Sequence, residues 1–71
     1  MNLLKLRGKI AENDMTLEEF ATAIGIDYST LYRKMKNNGD TFSIKEANNI
    51  VEVLKLKQEE ALSIFFVNHV A

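Results

Sequence analysis

Apolar residues recur along this chain at intervals of three and four, and no stretch keeps the strict alternation of a half-buried strand. The pattern predicts an all-α fold, a bundle of about five short helices. Helix 1 is expected over about residues 2–13, with Leu3, Leu6 and Ile10 on one face. Helix 2 is expected over about 17–24, burying Phe20, Ala21 and Ile24. Helix 3 follows over about 28–36, burying Leu31 and Met35, and a polar loop from Asn37 to Thr41 comes after it. Helix 4 is expected over about 44–55, with Ile44, Ala47, Ile50, Val51 and Leu54 inward. Helix 5 is expected over about 58–67, with Ala61, Leu62, Phe65 and Phe66 inward.

The helix starts carry their own signals. Thr16-Leu-Glu-Glu19 and Ser43-Ile-Lys-Glu46 are capping boxes, in which a hydroxyl and a carboxylate exchange hydrogen bonds with backbone N–H groups three residues apart. Asp27 stands where a cap for helix 3 is needed, flanked by Ile26 and Leu31 as a hydrophobic staple. Met15 with Phe20, and Phe42 with Ala47, frame the two boxes in the same way. Helix 5 starts behind Lys57, a residue with no acceptor to offer.

The segment between helices 2 and 3 points to function. Ala21 is small enough for helix 3 to cross close over helix 2. Gly25 supplies the positive φ that ends helix 2. Ile26 returns to the core and Leu31 anchors helix 3. Two helices joined by a short glycine-containing turn form a helix-turn-helix, which presents its second helix as a rod that fits a DNA major groove. The motif falls at about residues 16–36 of a single domain spanning 1–71.

Thr16-Leu-Glu-Glu-Phe-Ala-Thr-Ala-Ile-Gly-Ile-Asp-Tyr-Ser-Thr-Leu-Tyr-Arg-Lys resembles the motif of the lambda repressor and Cro family, also called the XRE family, and the likeness extends through residues 54–66. It is strongest to small lysogeny-switch proteins of temperate phages, including Cro-like proteins and modulators of repression. The resemblance implies a five-helix domain, double-stranded operator DNA as ligand, reading by helix 3, a cognate phage repressor as partner and a possible homodimer. The family commonly has glutamine at the first position of helix 2, where it braces a phosphate. Leu17 stands there and cannot, although the backbone N–H groups beside Thr16 remain available.

Helix 3 should expose Tyr28, Ser29, Thr30, Tyr32, Arg33 and Lys36. Arg33 is the best base reader, because a guanidinium bonds guanine O6 and N7 together. Ser29 can bond a base or a phosphate, and the two tyrosines can meet thymine methyls or phosphates. Lys34, Lys36, Asn37 and Asn38 suit the DNA backbone, which positions without specifying. The same basic residues also favour a helix C-terminus for electrostatic reasons alone.

Charge changes this picture. Nine basic and ten acidic residues give the 71-residue chain a net charge of −1, which lacks the strong positive balance of many DNA-binding domains. The chain has no cysteine and one histidine, His69, so neither a disulfide, a thiolate metal site nor a multi-histidine zinc site can be built, and no cofactor is expected. No nucleophile–base pair or phosphate loop points to an enzyme. The N-terminal stretch lacks the apolar run of a signal peptide and no segment is long enough to span a bilayer, so a bacterial cytoplasm is the expected compartment.

Seven of the ten residues from Ala61 to Val70 are apolar. If one face of helix 5 enters the core, Ile64 and Val67 stay outside. Ile64, Phe65, Val67 and Val70 are then the candidate partner interface. Two functions compete: a sequence-specific regulator that reads DNA with helix 3, and a modulator that docks on a repressor and binds DNA little by itself.

Overall fold

The computed structural model describes residues 1–37 and 41–66. Its elements are five helices in the order α1 Leu3–Glu12, α2 Leu17–Ile24, α3 Tyr28–Lys36, α4 Ile44–Leu54 and α5 Gln58–Phe65. Both capping boxes form as the sequence predicts. Thr16 Oγ1 accepts from the Glu19 N–H at 3.1 Å, and Glu19 Oε1 accepts from the Thr16 N–H at 2.8 Å. Ser43 and Glu46 do the same at 3.0 and 2.9 Å. Asn2 caps α1 by accepting from the Lys5 N–H. At α5 only the return half of a box exists: Glu60 accepts from the Lys57 N–H at 2.9 Å, because a lysine side chain has no acceptor.

Asp27 differs from expectation. Its backbone is extended as an N-cap requires, but its carboxylate takes no cap hydrogen bond. Leu31 and Met35, both buried, fix α3 instead.

Three helices stop in one way. Asp14, Gly25 and Lys55 take positive φ values of 55°, 85° and 53°. After each, an apolar residue sends its N–H back to the carbonyl five residues earlier: Met15 to Ile10, Ile26 to Ala21 and Leu56 to Val51. This is the Schellman ending, in which the following apolar residue packs against the helix it terminates. Glycine occupies the left-handed position once; Lys55 holds it against the steric penalty on a Cβ. Lys55→Gly is therefore expected to stabilise the domain by about 0.5–1 kcal/mol, net of the extra freedom glycine gives the unfolded chain. That is a rise in melting temperature of roughly 2–8 °C for a domain of this size. An unchanged or lower melting temperature contradicts the strained ending.

The core joins all five helices through Leu6, Ile10, Phe20, Ala21, Ile24, Leu31, Met35, Ile50, Leu54, Leu56 and Ile64. α2 packs on both α3 and α4, and α1 packs on α5. Four expected positions are corrected, one on α4 and three on α5. Ile44 was placed in the core face of α4 but is 82% exposed. It sits in the first turn and, at 100° per residue, about 120° round the helix from Ile50. Ile64, expected outside, is 1% exposed, while Leu62 and Phe66, expected inside, are 50% and 59% exposed. The inward face of α5 is turned by about one residue, or roughly 100°, from the predicted one. Two contacts with the chain's N-terminal end set that rotation. Glu60 pairs with Lys9 of α1, and the Asn2 N–H donates to the Ile64 carbonyl at 2.7 Å.

Candidate nucleic-acid interface

The local sequence determines how α3 is offered. Gly25 turns the chain, Ile26 is half-buried against the core, and Leu31 and Met35 plant one side of α3 on it. Asn49 of α4 adds a contact from below, its amide donating to the Ile24 carbonyl at the end of α2 at 3.4 Å. The opposite side of α3 then has to face solvent, because residues 31 and 35 define the inward stripe.

Ser29, Tyr32, Arg33 and Lys36 are exposed on that side, and Tyr28 is 44% exposed at its edge. Tyr28 and Tyr32, one turn apart, form a tilted ring pair with centroids 6.4 Å apart. Together they make an apolar ledge beside the polar positions. Thr30 is half-buried. Thr16 is exposed at the start of α2, with its oxygen already accepting in the cap. Leu17, beside it, is partly buried against the core. Asn38, Val67 and Val70 lie outside the described residues, as does His69.

Lys34 does not share the outward face. Its Nζ donates to the Thr41 carbonyl at 2.8 Å, lies 3.3 Å from Glu46 Oε1, and stands 5.7 Å from the centre of the Phe42 ring. The carboxyl of Glu46 is held below the usual 4.5, first by the hydrogen bond from the Ser43 N–H and then by Lys34, against the opposing effect of desolvation. Thr41, Phe42 and Glu46 were not singled out as partners of α3 in the sequence. Glu46 is twelve residues from Lys34 across a loop, so no helical spacing advertises the pair.

On another side of the molecule α4 and α5 border an apolar cleft of about 460 Å³. Met1, Phe42, Ile44, Val51, Phe65 and Phe66 are among its lining residues. Phe65 is thus at a concave surface, as a partner face requires, whereas Ile64 lies beneath it in the core.

A short left-handed turn between two packed helices, with the second outermost and basic at its end, defines a helix-turn-helix protein. Residues 5–66 match the family model of the Cro/C1-type HTH DNA-binding domain, and the chain belongs to that family. It is a DNA-binding domain of the kind used in transcription regulation. No curated protein and no solved structure matches the chain. No described helix is long and apolar enough to cross a membrane.

Proposed function

We propose that this protein is a small regulator of a phage lysis–lysogeny switch in the bacterial cytoplasm, one domain over residues 1–71, which binds operator DNA through α3 alongside a cognate repressor. The observation that carries the reading is the exposed face of α3, where Arg33 stands beyond the Tyr28–Tyr32 ledge. Arg33 reads guanine, Ser29 and Thr30 reach a base or a phosphate at the helix start, and the tyrosines meet thymine methyls. Lys36 and Asn38 hold phosphates, and Thr16 brings the first N–H groups of α2 to the backbone.

Charge argues for a partner. A net charge of −1 gives little long-range attraction to phosphates. Glu18 and Asp27 are exposed near the starts of α2 and α3, and Leu17 braces nothing. Alone, the protein should bind its best duplex with a dissociation constant nearer ~10⁻⁶ M than the ~10⁻⁹ M of tight operators. The repressor encoded beside it should supply the missing affinity. The test is a pull-down of that repressor with and without operator DNA, with a titration of the operator by each protein and by both. Tight binding by the isolated protein at about 150 mM salt, with no capture of the repressor, rejects the joint reading and leaves a plain Cro-like repressor.

A second reading, a modulator that docks on the repressor and binds DNA little by itself, is favoured by one observation. Ile44 and Phe66 expose large apolar surfaces at the cleft that Phe65 lines. Such surface on a small domain suits a protein partner, or a second copy of the chain.

A further inference from the structure

We propose that Lys34 is a positioning residue for DNA recognition: it ties the last turn of α3 to the start of α4 and does not touch DNA. The proposal rests on the reading of α3 as the DNA-contacting helix. All three groups that hold the Lys34 ammonium lie at or just before the entry to α4: the Thr41 carbonyl, the Phe42 ring and the Glu46 carboxylate. The side chain is only 17% exposed, so its charge is spent inside the protein. Lys36, two residues on, is exposed on the outward side of α3.

Glu46 makes the tie more than a surface pair. The same Oε1 that faces Lys34 accepts the Ser43 N–H that begins α4. One oxygen therefore serves both the capping box of α4 and the end of α3. The Phe42 ring, which packs against the core, lies within cation–π range of the ammonium. With Leu31 and Met35 gripping one side of the helix, this junction fixes its far end. A rod anchored at one side alone can swivel; anchored also at its end, it presents Arg33 in one orientation. A functional side chain has to be held within about 0.5 Å of its productive geometry by the groups that support it.

The consequence is specific to sequence reading. A lysine on a phosphate contributes equally on every duplex and adds to the salt dependence. A lysine that orients Arg33 affects the preferred duplex most and adds nothing to the salt dependence.

The experiment uses the full chain and a duplex that the wild type selects from a randomised pool, with a scrambled duplex of the same composition for comparison. Lys34→Met keeps an unbranched aliphatic side chain and removes the charge. Glu46→Gln removes the charge partner and retains an acceptor for the Ser43 N–H, so the capping box survives. Lys36→Met serves as the phosphate control, and circular dichroism checks that every variant is folded at the working temperature. The expected result is a fall of roughly three- to tenfold in the ratio of selected to scrambled affinity for both Lys34→Met and Glu46→Gln. Lys34→Met should leave the slope of log affinity against log salt at the wild-type value, whereas Lys36→Met should reduce it by about 0.9. An unchanged ratio in either variant, or a slope in Lys34→Met that falls as in Lys36→Met, overturns the positioning role and leaves α3 as the reading helix. A wild type that selects no duplex overturns the DNA-reading function and this role with it.

Discussion

Ile64→Asp should unfold the domain. Truncating a buried isoleucine to alanine costs about 2–5 kcal/mol, and burying an unpaired carboxylate adds more. A core of this size supplies roughly 3–5 kcal/mol in all. Ile64 is 1% exposed, and its backbone carbonyl receives the Asn2 N–H, so the side chain and the start of the chain lose their seat together. Leu62→Asp makes the same chemical change two residues away, where the side chain is 50% exposed. It should cost less than about 1 kcal/mol, as surface changes do. Helical circular dichroism through a thermal scan separates the two. A cooperative transition for Ile64→Asp near the wild-type temperature shows that α5 does not dock as described. The contrast also determines how the C-terminal face can be probed: Ile64 tests folding, while Leu62 and Phe66 test association.

That pair of residues shows where sequence reading reached its limit. α2 and α3 fall at the predicted residues because their signals are local. A capping box needs only Thr16 and Glu19, a Schellman ending needs Gly25 and Ile26, and each lies within one turn of its partner. The rotation of α5 is not local. Two stripes compete on it, one through Leu62, Phe65 and Phe66 and one through Ala61, Ile64 and Phe65, and both satisfy helical spacing. The choice is made by Lys9 and Leu6 on α1, about fifty residues away in sequence. A clue existed in Glu60, an acidic residue that needs the basic face of α1 when it lies beside the inward stripe. The endings at Asp14 and Lys55 were missed for another reason. Glycine is the usual marker of a left-handed residue, and neither has it, yet the apolar residue after each, Met15 and Leu56, carries the other half of the motif.

The candidate site divides in the same way. Arg33, Ser29 and Tyr32 could be placed outward from Leu31 and Met35 alone, because a helix with two buried positions has its solvent face decided. Lys34 looked equivalent to Lys36 by composition. It differs because the loop after α3 brings Thr41, Phe42 and Glu46 back against it.

Arg33→Ala should weaken binding to the selected duplex by about 1–3 kcal/mol, the value of one bidentate arginine–guanine contact. Affinity for a scrambled duplex should drop only by the smaller, sequence-independent share of one positive charge. The preference of the wild type at one base pair should therefore relax. Lys36→Ala, at the end of the same helix, should instead weaken selected and scrambled duplexes alike. Both side chains are exposed, so neither substitution should disturb folding, and the comparison reads recognition directly. The most direct measurement is the affinity of wild type and Arg33→Ala for the selected duplex and its single-base variants, at one fixed salt concentration. A loss of roughly five- to 150-fold on the selected duplex, with discrimination lost at one position, is the expected result. Equal binding by the two proteins, with the same base preferences, would contradict α3 as the helix that reads DNA.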